Sequence, residues 1–109
     1  MAFYEIQTIK YSDDYDIPNL ANYMHYCYEH FLHKEMPQVD ELSKEFTLPI
    51  KEARDIANHI GQLSYDEFIE FSNIFYSEHE QQEFTEFIEI VGAEHTLYND
   101  SVKVSFYNM

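Results

Sequence analysis

The chain has 109 residues, with 21 acidic side chains against six Lys and Arg and a net charge of −15. A chain of this length forms one domain, and at this charge it does not bind nucleic acid or an anionic membrane directly, because both repel a polyanion. An aromatic content of 17% excludes a disordered acidic chain, since such chains lack aromatic residues.

Neither a disulfide framework nor a targeting segment is expected from the sequence. Cys27 is the only cysteine, so no intramolecular disulfide can form, which is typical of a reducing compartment. The first residues show no basic region followed by an apolar one, and no apolar run approaches the ~20 residues of a membrane span. The sequence therefore predicts a cytoplasmic protein.

The first predicted elements are a strand and two helices. Alternating side chains predict a strand over Ala2–Lys10. Apolar residues at helical spacing predict a helix over Ile17–Lys34, with Asp16 as its cap and Pro18 in its first turn. A shorter helix is predicted over Gln38–Glu45.

Three further helices are predicted in the second half of the chain. One begins after Pro49 and runs to Gly61, a residue type suited to the position after a helix C-terminus. Two S-x-x-E capping boxes, Ser64–Glu67 and Ser77–Glu80, each open another helix, and the last helix ends at Gly92.

The ends of the chain are expected to meet in a small sheet. Asn99-Asp100 is suitable turn chemistry, and Val102, Val104 and Phe106 alternate with polar residues after it. We expect residues 1–109 to form a single acidic α+β domain. Four or five helices pack with a small antiparallel sheet formed by the N-terminal strand and a C-terminal hairpin.

Negative charge dominates the second half of the chain. Between Arg54 and Lys103, 48 consecutive residues include eleven carboxylates and no Lys or Arg. Phe, Ile and Val at helical spacing form the core side of each helix, so the acids fall on the solvent side. The predicted partner-binding surface consists of Asp66, Glu67, Glu70, Glu78, Glu80, Glu83, Glu86, Glu89, Ile90 and Glu94.

Several explanations of this acidic surface stay open at the level of sequence. Like charges at i,i+3 or i,i+4 each cost roughly 0.2–0.5 kcal/mol, so their repetition needs a reason. A solvated face that favours solubility is one reason, and adaptation to high salt is another. A third is imitation of nucleic acid, because Cβ atoms about 5–6 Å apart on a helix approach the ~3.4 Å spacing of phosphates along one strand.

In size, charge and aromatic content over its whole length, the chain resembles small acidic proteins of phages and mobile elements. Those proteins block restriction enzymes, CRISPR nucleases or DNA-repair enzymes by occupying a DNA site. The resemblance implies a stoichiometric inhibitor in the host-cell cytoplasm. Such an inhibitor presents a DNA-mimicking surface to the basic cleft of a nucleic-acid-binding protein, such as a defence nuclease, in anti-CRISPR or anti-restriction fashion.

The alternative function is a non-enzymatic regulatory or interaction module. In this case an antitoxin-like or phage accessory protein binds its partner through aromatic and acidic side chains. A mimic requires its acids on a continuous ridge, whereas a general interaction module scatters them. A homodimer is compatible with both alternatives.

The segment His25–His33 is the best candidate for chemistry. Glu29 and His33 lie one helical turn apart, and Cys27 lies in the same segment, so N, O and S ligands of the kind zinc prefers are present. The spacing matches neither H-E-x-x-H nor H-x-x-E-H, and His25 and Cys27 diverge by about 200° around the helix. We therefore expect no bound metal, no cofactor and no enzymatic activity, with the segment serving as a polar face of an aromatic-rich helix.

Overall fold

The computed structural model describes residues 17–93 and 101–106. These residues adopt an α+β fold of four α-helices and a two-stranded antiparallel sheet, which confirms the predicted fold class. The elements in chain order are α1 (Leu20–Cys27) with a π-helical continuation (Tyr28–Leu32), β1 (Glu45–Pro49), α2 (Ile50–Gly61), α3 (Tyr65–Ser72), α4 (Glu78–Gly92) and β2 (Ser101–Ser105).

The sheet pairs the middle of the chain with its C-terminal part. Phe46 lies opposite Val104 and Leu48 lies opposite Val102, and all four side chains are buried. The predicted C-terminal strand is confirmed. The predicted strand Ala2–Lys10 and the predicted turn at residues 99–100 lie outside the described residues.

The predicted short helix over Gln38–Glu45 is wrong. The Asp40 carboxyl accepts hydrogen bonds from the backbone N–H groups of Leu42 (2.8 Å) and Ser43 (3.0 Å), and Lys44 has a positive φ of 57°. Such local bonds from an Asp side chain satisfy the backbone in a turn and compete with a helix. The chain therefore turns here and enters β1, which leaves Leu42 almost fully exposed.

The first helix is shorter than the predicted span Ile17–Lys34. Asn19, with a φ of 61°, precedes its first residue, and His33, with a φ of 53°, follows the π-helical turn. The expected cap Asp16 lies outside the described residues, and Pro18 lies in the turn before the helix. One side of α1 and its continuation is buried in the core, through Leu20, Tyr23, Met24, Cys27, Tyr28 and Phe31.

Helices α2 and α4 pack closely because Gly92 has no side chain. A Cβ atom at this position would lie 2.8 Å from the Arg54 Cα atom, closer than real Cβ atoms approach backbone. The Arg54 Nε atom also donates a 2.9 Å hydrogen bond to the Gly92 carbonyl. Gly61, in contrast, stays within α2 without a positive φ, so its expected place beyond the helix end is a second correction.

Both serine caps are present, but only one is reciprocal. Ser64 and Glu67 form the complete capping box at the start of α3, as predicted. At the start of α4 the Ser77 hydroxyl accepts from the Glu80 N–H at 3.2 Å, while the Glu80 side chain turns into the protein interior. The predicted core residues of α4 are confirmed as buried: Phe84, Phe87, Ile88 and Val91.

Candidate partner-binding surface

The solvent side of α4 carries four of the nine predicted acids. At 100° per residue, Glu78, Glu89, Glu86 and Glu83 follow one another around the side of the helix opposite its buried stripe. Glu78, Glu86 and Glu89 are exposed. The side chain of Glu83 is 29% exposed, and its carboxyl lies 3.3 Å from His79 Nε2.

The acids of α3 are exposed and lie on a shorter helix. Asp66, Glu67 and Glu70 all face solvent in the first turns of α3. Hydrogen bonds from the Ser64 side chain and its backbone N–H hold the pKa of Glu67 below its usual value. Glu70 lies near Tyr26, whose pKa is raised by burial first and by the Glu70 charge second. The acidic side of α3 therefore extends towards α1.

Glu80 is a correction to the predicted surface. The sequence groups it with the partner-binding acids, but the structure leaves the residue only 8% exposed. Its Oε2 atom accepts a 2.5 Å hydrogen bond from the Tyr23 hydroxyl and a 3.3 Å bond from the Tyr76 N–H. Glu80 therefore joins α1 to the start of α4 and is not available to a partner.

The two remaining predicted positions have different outcomes. Ile90 is 37% exposed and lies on the solvent side of α4, between Glu86 and Glu83 in projection. It therefore places an apolar side chain among acids. Glu94 lies outside the described residues.

A groove runs between α3 and α4, and we call it the α3–α4 groove. Its volume is about 690 Å³. Its apolar walls come from Ile60, Phe68, Phe75 and Tyr76, and its acidic rim from Glu78, Glu86 and Glu89. Ser72, Ser77, Gln81, Gln82 and Thr85 supply the rest of the lining, so no cationic side chain is among the described residues that form it.

The apolar part of the groove is open to solvent. Phe68 is 43% exposed and Tyr76 is 90% exposed, although Phe71 and Phe75 on the same stretch are buried. Phe68, which helical spacing groups with Phe71 and Phe75, therefore lies outside the core. A 2.9 Å hydrogen bond from Gln81 Nε2 to the Ser72 hydroxyl joins the two helices within the lining of the groove.

Tyr76 combines a fixed backbone with a free ring. Its N–H donates to Glu80 and lies 3.5 Å from the Tyr23 hydroxyl, so its main chain is tied to two buried side chains. The neighbouring Phe75 ring packs 4.3 Å from the Tyr23 ring, centroid to centroid. The buried network thus holds the backbone that presents the Tyr76 ring to solvent.

Sequence reasoning missed the groove, although one signal for it was present. Four of the eight residues of α3 are large and apolar, and the other side of this short helix carries three acids. Tyr65, Phe68, Ile69 and Phe71 spread over about 160° of the helix, and only Phe71 is buried. An excess of apolar side chains on a short helix indicates a surface that is partly left uncovered.

The segment His25–His33 does not converge on a metal. His25 Nδ1 lies 3.6 Å from Glu29 Oε2, and the His30 ring stacks on Tyr26 at 4.1 Å. Cys27 is fully buried, and burial raises the pKa of its thiol, so the thiolate needed for metal binding or nucleophilic attack is disfavoured. Within residues 17–93 and 101–106, no group of three or more His, Cys, Asp or Glu side chains has a geometry that could hold a metal ion.

Comparison with models of protein families, with curated proteins and with solved structures finds no match for this chain. Among the helices of the described part of the chain, none is both long and apolar enough to cross a membrane. Any functional conclusion therefore depends on the chain's own residues and their arrangement.

Proposed function

We propose that this protein is a non-enzymatic, stoichiometric inhibitor that binds a basic nucleic-acid-binding protein in place of nucleic acid. The target class is a nuclease or defence complex, as in anti-CRISPR and anti-restriction proteins, encountered in the host cytoplasm. The observation that carries the proposal is the exposed acidic side of α4, which lies within 48 consecutive residues without Lys or Arg.

The charge arrangement supports recognition by a cleft that binds phosphates. Glu83, Glu86 and Glu89 are separated by three residues each, which corresponds to about 4.5 Å of helix axis per step. This rise is of the same order as the ~3.4 Å between phosphates of one DNA strand. Lys and Arg side chains that bind phosphates displace the counterions around them. The same side chains can pair with these carboxylates, and this contact also displaces counterions.

The proposal predicts a salt-sensitive complex that excludes nucleic acid. The partner is captured from a host lysate, purified and titrated with the wild type and with a Glu83→Lys/Glu86→Lys/Glu89→Lys variant at two salt concentrations. We expect the variant to bind more weakly by roughly tenfold or more, because each of these charges on α4 acts on a partner cation at short range. We also expect wild-type affinity to fall with salt, since exposed charges are screened beyond about 8 Å at physiological ionic strength.

A second triple variant controls for net charge. Glu29, Glu35 and Glu41 are exposed and lie outside α3 and α4, so their change to Lys alters the net charge equally without touching the proposed surface. If both variants lose affinity equally, the loss is explained by net charge and does not depend on the position of the acids on α4. A stable ternary complex with DNA or RNA still fully bound to the partner excludes mimicry.

The second candidate function is a regulatory or interaction module, antitoxin-like or phage accessory in type. The exposed rings of Phe68 and Tyr76 favour it, because imitation of phosphates does not require apolar contact area. The same nucleic-acid competition separates the two functions. A partner that binds through this surface and keeps its nucleic acid supports the interaction module.

A further inference from the structure

We propose that the α3–α4 groove binds a basic amphipathic helix of a protein partner. A large apolar side chain of that helix enters the groove, and its Lys and Arg side chains contact the acidic rim. This inference rests on the proposed function, because it names the part of the basic partner that this surface takes.

The apolar half of the groove provides the anchor site. Phe68 and Tyr76 both line the groove with a large part of their surface in water, while the less exposed Ile60 and Phe75 continue its wall. Aromatic side chains in such positions commonly contribute most of the binding energy of an interface. A groove flanked by two helices is also a common receptor for a third, amphipathic helix.

The acidic rim of the α3–α4 groove favours a positively charged occupant. Glu78, Glu86 and Glu89 border the groove, and every charged side chain in its described lining is acidic. A Lys or Arg reaching the rim also lies near the exposed Tyr76 ring, where a cation is attracted by the aromatic face. The helix that binds here therefore carries Lys or Arg side chains next to its apolar anchor.

Other occupants are disfavoured by the same charges. Nucleic acid and anionic membranes are repelled by the acidic rim, as by the chain as a whole. A second copy of the chain would bring another net charge of −15 to the contact. A basic amphipathic helix fits both parts of the groove. Its apolar side chains contact the aromatic wall, and its cationic side chains contact the acidic rim.

The test uses synthetic peptides, so that it depends on no captured protein. The main probe is a peptide of roughly 18 residues, above the ~12–15 at which isolated helices become marginal, with Leu at i, i+3, i+4 and i+7 and Lys elsewhere. A scrambled peptide of identical composition keeps the charge and removes the apolar stripe. Binding to the full chain is measured by titration calorimetry at low and physiological salt.

Two variants of the protein locate the site. Phe68→Ala removes one wall, and Thr85→Phe fills the groove without changing charge, since Thr85 lines it. Tyr65→Ala is the matched control, because Tyr65 is an exposed aromatic residue of the same helix that does not line the groove. Circular dichroism and thermal unfolding confirm that each variant folds.

We expect the striped peptide to bind wild type and Tyr65→Ala alike, and to bind Phe68→Ala and Thr85→Phe roughly tenfold more weakly, as truncation of an anchor site requires. Equal binding of striped and scrambled peptides overturns the proposal, as does full affinity of folded Thr85→Phe. Self-association of the wild type that Thr85→Phe abolishes also overturns it, in favour of a second copy as the occupant.

Failure of this inference is distinguishable from failure of the proposed function. If the peptides do not bind in the groove but this protein still displaces nucleic acid from the captured partner, the inhibitor function stands without this docking mode. If the striped peptide binds in the groove while the partner keeps its nucleic acid, the groove stands and mimicry is excluded.

Discussion

At the scale of single residues, Glu80 shows how a carboxyl in an acidic protein can be structural. It lies in the same stretch as the exposed acids, yet it is buried and accepts hydrogen bonds from Tyr23 and from the backbone of Tyr76. Removing a buried acceptor leaves its donors unsatisfied, which costs about 1–3 kcal/mol for each donor left without a partner. Charge reduction alone does not predict the effect of changing this residue.

We predict that Glu80→Ala lowers the free energy of unfolding by about 2–4 kcal/mol, because it leaves the Tyr23 hydroxyl without its acceptor and the Tyr76 N–H with only its longer 3.5 Å contact to that hydroxyl. Tyr23→Phe should cost less, about 1–2 kcal/mol, since the Tyr76 bond remains. Chemical denaturation of each variant measures these values. Glu86→Ala, an exposed acid on the same helix, is the control and should stay within about 0.5 kcal/mol of wild type.

The double variant tests whether the two side chains act together. Residues that share a hydrogen bond give non-additive changes, whereas independent sites add within about 0.5 kcal/mol. Strict additivity of Tyr23→Phe and Glu80→Ala would show that the bond between them contributes little to stability.

At the scale of elements, the contact between α2 and α4 depends on Gly92. In a helix, Gly is usually about 1 kcal/mol worse than Ala, so replacement by Ala normally stabilises. Here the new methyl group would meet the α2 backbone at Arg54, and backbone cannot move aside as a flexible side chain does. Helix preference therefore predicts that Gly92→Ala raises the stability of the protein, whereas packing predicts that it lowers it.

We predict that Gly92→Ala destabilises the protein by about 1–3 kcal/mol, because packing outweighs helix preference. Gly61→Ala is the matched variant, since Gly61 is also helical and has no positive φ, and no neighbouring atom lies within 4 Å of the position that its Cβ would take. It should stabilise the protein by up to about 1 kcal/mol. Thermal unfolding compares the two, and a gain in stability for Gly92→Ala would contradict the close approach of α2 and α4.

Elements specified by neighbouring residues were predictable from the sequence. The α3 capping box needs only Ser64 and Glu67, and the core stripe of α4 needs only its own spacing of Phe, Ile and Val. Strand β1 was missed because Phe46 and Leu48 show two-residue alternation over a very short span. Their burial depends on pairing with Val104 and Val102, which are distant in the sequence.

The candidate surface was predictable in part for the same reason. The exposed acids of α4 follow from helical projection. The burial of Glu80 follows from a partner 57 residues away, although its projection beside Phe84 and Phe87 was a usable signal. The α3–α4 groove depends on how two helices meet, and sequence spacing within each helix does not contain that information.

At the scale of the whole molecule, we expect the buried Tyr23 and Tyr28 and the half-buried Tyr26 to limit the pH range in which the fold is stable. Burial raises the pKa of Tyr23, Tyr26 and Tyr28 above the ordinary 10.0, with the nearby carboxyls of Glu80, Glu70 and Glu52 adding to the effect. Below pH 10 these hydroxyls are protonated in both the folded and the unfolded chain. As the pH rises past 10, the unfolded chain ionises first and is thereby favoured.

We predict that these tyrosines do not change the free energy of unfolding below pH 10. Above pH 10 the free energy of unfolding should fall as the pH rises towards the pKa values of the tyrosines in the folded chain. Phenolate absorbance should then develop together with the loss of helical circular dichroism. Tyr28→Phe should flatten part of this alkaline decline, because it removes one of the raised groups. Tyrosines that titrate normally in a chain that stays folded would contradict the burial of these rings.

The fixed backbone of Tyr76 has a consequence for the rates at which a partner binds. Because buried groups already hold the main chain beneath the ring, we expect the proposed docking to cost little backbone entropy at this position and mainly the freedom of the ring's own torsions. Association is then governed by diffusion and by attraction to the net charge of the molecule. In the proposed complex, we expect the acidic side of α4 to set the association rate and the α3–α4 groove to set the dissociation rate.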